Sequence, residues 1–224
     1  NLFNNQKLIF IKTCPECGFF LEGNEGEAQH YCRNHNFCPP QIKGKIEHFV
    51  SRKAMNIDSI GKKQIDKLYN EGLIKKISDL YKLNKHDLIN LRGFEETSVD
   101  KLLLAIESSK KIKFEKVLFA LGIRFVGETV AKIIVKEFKS IEKLSKASFE
   151  QLIMVDEIGE KIAYSIVEYF KDEENIQLIE ILKNKGLRLE LEDQFLSSDV
   201  LNGKSIVVSG VFFQKSRAEI KNLI

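Results

Sequence analysis

Between residues 54 and 167 the apolar positions of this chain fall into a unit that recurs about every 33 residues, centred on Gly61, Glu95, Gly127 and Gly159. An apolar residue stands immediately before each centre (Ile60, Phe94, Val126, Ile158) and another four before it (Ile57, Leu91, Ile123, Val155). Seven before it come Ala54, Leu88, Ala120 and Leu152. Beyond the centre, Ile65, Val99, Ala131 and Ala163 occupy the fourth position and Leu68, Leu102, Ile134 and Ile166 the seventh. Such spacing on both sides of a short break is that of amphipathic helices. Each unit therefore predicts a short helix, a hairpin of a few residues, and a second helix whose N-terminus begins just after the centre. Four units predict an all-helical domain, placed at residues 41–191, and a mainly α fold class.

The flanks read differently. Leu8, Ile9, Phe10 and Ile11 lie between Lys7 and Lys12 and predict the last strand of an upstream domain, whose end would occupy residues 1–13. Residues 176–191 predict a helix and a short strand, and the acidic, serine-containing residues 192–199 a linker. Residues 200–224 open like an α/β unit. They hold a turn at Asn202 and Gly203, a β-rich run at Ser205, Ile206, Val207 and Val208, a Ser209-Gly210 step and a helix from Ser216. So short a segment cannot cover a sheet on both faces. The chain begins at Asn1 and stops at Ile224 inside an amphipathic pattern, so both ends are expected to be cuts from a longer protein.

With 224 residues, 43% of them hydrophobic, the chain can bury the cores of one large domain or two to three small ones. Charged residues at 30%, three Pro and no Trp fit a helix-rich soluble protein and exclude collagenous or disordered classes. No secretory signal pattern opens the chain, and no apolar run approaches the roughly 18 residues that span a bilayer, so a cytoplasmic location without membrane contact is expected. The net charge of +3 permits binding to a polyanion without establishing it.

All four cysteines, Cys14, Cys17, Cys32 and Cys38, crowd into one window with C-x2-C and C-x5-C spacing. A C-x2-C turn aims two thiolates at one point, and a second pair completes the sulfur tetrahedron that Zn²⁺ prefers. Two disulfides, or four unrelated buried thiols, are the alternatives; a cytosolic setting disfavours the first and the tight clustering the second. The stretch from Gly18 to Tyr31 is too polar to build a core, so a structural metal would supply its folding free energy. His30 and His35 flank Cys32, but four thiolates already fill a tetrahedral shell, which leaves the histidines as surface or outer-layer residues.

A glycine at a helix start lets backbone N–H groups approach an anion closely, and the helix dipole favours negative charge there. Gly61 with Lys62 and Lys63, Gly127 with Arg124, and Gly159 with Lys161 therefore read as phosphate contacts that position a nucleic acid and read no sequence. The competing view makes these ordinary helical hairpins whose glycines merely turn and cap. Glu95 at the second centre makes that hairpin structural, and Asp156 and Glu157 before Gly159 leave the fourth open.

Together these features resemble the C-terminal half of bacterial NAD-dependent DNA ligases: a four-cysteine zinc finger at residues 14–40, four helix-hairpin-helix repeats, then the start of a BRCT domain. The resemblance is carried by Cys14-Pro15-Glu16-Cys17, Cys38-Pro39-Pro40-Gln41, His48-Phe49-Val50-Ser51-Arg52-Lys53-Ala54-Met55-Asn56-Ile57, Leu121-Gly122-Ile123-Arg124-Phe125-Val126-Gly127-Glu128-Thr129-Val130-Ala131 and, more briefly, residues 201–210. The five-residue gap before Cys38 and the acids at two hairpins depart from the common pattern. The resemblance implies a parent enzyme that seals nicks in duplex DNA during replication and repair, using NAD and Mg²⁺, through a lysine of a Lys-x-Asp-Gly motif. No Asp-Gly pair occurs in this chain, so catalytic residues are expected to lie outside it and the chain alone to be inactive. It further implies that the hairpins grip the minor-groove side of nicked DNA, with Thr129 joining the residues named above. The zinc finger would fix their orientation to an upstream OB domain, further partners would come through the BRCT domain, and the protein would be nucleoid-associated. A non-enzymatic repair or recombination adaptor is the alternative from another class.

Overall fold

A computed structural model of the chain describes residues 11–23 and 29–191, with Val207, Ser209 and Ser216 as isolated positions. The first of two compact units, Asn1–Leu191, holds every element described here. Most of the strand expected at residues 7–12, the linker at 192–199 and nearly all of the α/β start at 200–224 lie outside the described residues.

The unit begins with a small β-hairpin. Strands β1 (Leu21–Gly23) and β2 (His30–Cys32) pair antiparallel, Leu21 opposite Cys32 and Gly23 opposite His30. Helix α1 (Pro39–Val50) follows directly; Cys38 is its N-cap residue and two prolines open its first turn, where a missing N–H costs nothing. Ile42, Ile46, Phe49 and Val50 form its buried face. Helix α2 (Lys62–Asn70), a 3₁₀ segment (Ile77–Lys82), α3 (Lys85–Ile89), α4 (Glu96–Ser109), α5 (Phe114–Ala120) and α6 (Glu128–Phe138) come next. The last four are α7 (Ile141–Ser145), α8 (Phe149–Ile153), α9 (Glu160–Lys171) and α10 (Glu173–Asn184).

The repeat register coincides with the helix boundaries. Gly61, Glu95, Gly127 and Gly159 are the N-cap residues of α2, α4, α6 and α9. In each, the carbonyl of the centre accepts from the N–H four residues on, at Ile65, Val99, Ala131 and Ala163. Of the apolar repeat positions all but Leu91 and Val155 are buried, and those two pack against the same core. The pairs α3–α4, α5–α6 and α8–α9 are the predicted hairpins. The first unit departs from expectation: α1 ends at Val50, and Ala54 is buried from a turn rather than from a helix. The turn is closed by bonds from the Ala54 and Asn56 N–H groups to Ser51 O and from Met55 N–H to Phe49 O.

Polar ties fix the helices to one another. His48 Nε2 lies 2.9 Å from Phe119 O, and its ring meets the Phe119 ring edge-on, joining α1 to α5. Buried Tyr81 and Ser109 share a hydrogen bond of 2.9 Å, and burial pushes the Tyr81 hydroxyl up to about 12. After α10 the chain returns to the α6–α7 link, with Ile141 N–H donating to Leu189 O. The helix expected from residue 176 thus begins three residues earlier, and its strand-like tail forms a single bridge, Ser140 to Glu190.

Candidate metal centre and nucleic-acid interface

The four cysteine sulfurs meet at one point. A tight turn brings Cys14 and Cys17 together, with Gly18 at φ +71° and its N–H bonded to Cys14 O. Cys32 ends β2, and a second turn, closed by Cys38 N–H on Asn34 O, presents Cys38. Cys14 Sγ lies 3.9 Å from Cys38 Sγ and Cys17 Sγ 3.6 Å from Cys32 Sγ, and all four sulfurs fall within 4.8 Å of one another. A tetrahedron with Zn–S bonds of about 2.3 Å has S–S edges of roughly 3.8 Å, whereas a disulfide needs about 2.05 Å. The donor set fits structural zinc, and the disulfide alternative falls away. The Phe19 backbone N–H lowers the Cys17 thiol to about 7, while burial pushes Cys38 up to about 12; a bound dication would hold all four as thiolates. Among the described residues this cluster consists of the cysteines alone, and neither His30 nor His35 joins it.

The hairpins share a feature that the sequence did not signal. Two residues before each centre, the backbone turns into the left-handed region: Ser59 at φ +68°, Gly93 at +86°, Phe125 at +65° and Glu157 at +67°. The next N–H, of Phe94, Val126 and Ile158, then bonds back to the carbonyl of Leu91, Ile123 and Val155, closing a tight turn in three of the four. A kink at the same place in every unit precedes an exposed helix start. Only Gly93 betrays it by residue type.

These exposed helix starts lack side-chain caps. Helices α3, α7, α8 and α10 begin with Asn84, Ser140, Ser148 and Asp172, each of whose side chains accepts a first-turn N–H. Helices α2, α4, α6 and α9 have no side-chain cap bond, and neither do α1, with Cys38 as its N-cap residue, and α5, with Lys113. At Gly61 the N–H itself donates to Gln64 Oε1. The predicted DNA residues all sit at these ends and are exposed: Lys62 and Lys63 in the first turn of α2, Thr129 in that of α6, Lys161 in that of α9, and Arg124 at the third hairpin tip. Lys53 Nζ reaches Glu128 Oε1 at 3.2 Å and so bridges the first and third hairpins. Ser165 Oγ donates to Arg124 O at 2.7 Å and fixes the third hairpin against α9.

Three stretches of the chain match known family models. Residues 13–39 match the NAD-dependent DNA ligase C4 zinc finger domain, residues 51–108 the SAM-like helix-hairpin-helix tandem and residues 116–179 the helix-hairpin-helix motif. The chain is 56% identical to a DNA ligase of Phocaeicola vulgatus over 97% of its length, and 54% identical to one of Bacteroides fragilis over 98%. The chain belongs to the NAD-dependent DNA ligase family. A DNA ligase of Parabacteroides distasonis is 51% identical over 100% of the chain. The chain spans about a third of the length of these relatives, 33% to 34%.

Against the ligase resemblance, sequence reading missed Lys53 and Glu128 as partners, Ser165 as the support of Arg124, and His48 as the tie between α1 and α5. All three contacts join residues far apart in the chain, and no local pattern marks them. The second hairpin differs in charge. Glu95 occupies the N-cap position of α4 without a cap bond, and Glu96 and Asp100 in that helix hold Lys85 at 2.8 and 3.0 Å. No helix among the described residues is long and apolar enough to cross a membrane.

Proposed function

We propose that this chain is the zinc-stapled, DNA-holding portion of an NAD-dependent DNA ligase that seals nicks, and that it grips the phosphate backbone from the minor-groove side without reading sequence. The first and third hairpins carry the grip. Gly61, Lys62 and Lys63 act at one, and Arg124, Gly127 and Thr129 at the other, with Gly159 and Lys161 adding a weaker contact amid acids. NAD and Mg²⁺ act outside this chain, in the rest of the enzyme, on DNA at the nucleoid.

One observation carries the reading. Gly127 and Gly159 have φ −83° and extended ψ, a conformation any residue adopts, and a methyl group built on either would meet nothing within 4 Å. The fold therefore does not require glycine at these helix starts. An outside ligand pressed against uncapped N–H groups does, and a phosphate oxygen is the anion such a start accepts. The acids around α4 favour a packing role for the second hairpin.

The test is fluorescence anisotropy of the 224-residue chain on a nicked duplex across a salt series, beside Gly127→Asp. Expected are sequence-independent binding that weakens with salt and its loss in the variant at unchanged melting temperature. Absence of binding at low salt would make the hairpins scaffold.

A further inference from the structure

The hairpin turn accounts for the backbone of Phe125, a kink that all four units share, but not for its exposed ring. Phe125 occupies the left-handed kink of the third hairpin at φ +65°, which side chains other than glycine rarely adopt. Its neighbours Ile123 and Val126 are buried, yet Phe125 is 51% exposed and contributes little to the core. The tip around it is held firmly. Val126 N–H bonds Ile123 O at 3.0 Å, and the Arg124 carbonyl is fixed by Ser165 from α9. The Arg124 guanidinium lies over the Phe125 ring, 4.8 Å from its centroid, so a cation is laid against one face of an apolar blade. Two residues further on stands the uncapped start of α6. Backbone strain persists where a structure over-determines it, and it clusters where a side chain is aimed at a ligand.

We infer that Phe125 is a wedge that enters the base stack of duplex DNA through the minor groove while Arg124 leaves the ring face for the flanking phosphate. The inference rests on the proposed DNA-holding function and adds a contact to the bases. An apolar side chain driven between base pairs partly unstacks them and kinks the duplex, and the cost of unstacking is offset by wider wrapping. The blade is flat and held ready, and its cation stands where a phosphate flanking the opened step would meet it. Among the four kink positions it alone is aromatic; Ser59, Gly93 and Glu157 fill the others. The third hairpin would then locate a deformable step, a nick among them, while the first holds phosphate alone.

The experiment pairs anisotropy with base-stacking fluorescence. The 224-residue chain is titrated onto nicked duplexes carrying 2-aminopurine at successive steps, alongside Phe125→Gly, Phe125→Leu and Gly127→Asp. Wild type is expected to raise 2-aminopurine emission at one step. Phe125→Gly should lose that rise and bind about tenfold more weakly at every salt concentration with an unchanged salt slope, since stacking is not electrostatic. Glycine takes φ +65° freely, so its melting temperature should match or exceed wild type, and Phe125→Leu should keep part of both signals. Wild-type-like affinity and emission in Phe125→Gly, with binding lost in Gly127→Asp, would overturn the wedge and leave the phosphate grip standing. Failure of wild type to bind would overturn both.

Discussion

Glu157 and Gly93 occupy equivalent places in two hairpins, at φ +67° and +86°, and they give opposite expectations for mutation. An L-residue in the left-handed region costs roughly 1–2 kcal/mol, while glycine loses about 0.5–1 kcal/mol of unfolded-state entropy. Glu157→Gly should therefore stabilise the chain by about 0.5 kcal/mol, and Gly93→Ala should destabilise it by about 1 kcal/mol, both read from urea midpoints at constant slope. Gly127→Ala should shift the midpoint far less than Gly93→Ala, because Gly127 sits at φ −83° with open space where a Cβ would go. Equal losses in the two alanine variants would mean that Gly127 serves the fold, and the case for an outside ligand at α6 would go with it.

At the scale of elements, the zinc finger and the helices draw stability from different sources. Strands β1 and β2 have three residues each, Phe19, Phe20 and Phe37 are exposed, and among the finger's described residues Cys14 and Cys38 are the buried ones. The helices bury a continuous apolar core from Ile42 to Leu189. Chelation with a strong zinc ligand should therefore abolish amide protection across residues 12–23 and 29–38, fray the first turn of α1 and leave α2 to α10 protected, as hydrogen exchange would report. Global unfolding on chelation would contradict that separation. A second expectation concerns Asp79, whose carboxylate accepts from the N–H groups of Lys75 and Lys76 and pairs with Lys82. Burial opposes its charge, but these partners win and hold it below its usual value of 3.8. That contribution is present above pH 4 and lost as pH falls through the lowered value. Asp79→Asn should flatten the acid limb of the stability profile there.

The elements themselves were readable because burial enforces period: every repeat centre became a helix start. What escaped was set by contacts distant in sequence or by geometry hidden under an ordinary residue type. The first unit's leading helix failed because α1 stops at Val50 and Ser51 gathers the following N–H groups into a turn that buries Ala54 just as well. The left-handed kinks at Ser59, Phe125 and Glu157 carry no glycine to mark them.

For the molecule as a whole, net charge says little: +3 arises from 35 basic and 32 acidic residues, so any attraction to DNA is a matter of placement. Each phosphate neutralised on duplex DNA releases condensed counterion, and the logarithm of affinity falls with the logarithm of salt by about 0.9 per contact. If Lys62, Lys63, Arg124 and Lys161 each meet one phosphate, the slope should be about −3.6. Alanine at any of them should shallow it by roughly 1 and weaken binding equally on unrelated sequences. Glu128→Gln should act in the other direction. It removes an acid from the first turn of α6 and releases Lys53, whose exposed ion pair contributes under about 1 kcal/mol to stability. The slope should then steepen by up to one contact while the urea midpoint barely moves. A slope unchanged in Lys62→Ala and Lys63→Ala but reduced in Arg124→Ala would confine the grip to the third hairpin, and the bridge from Lys53 would then serve only to steady it.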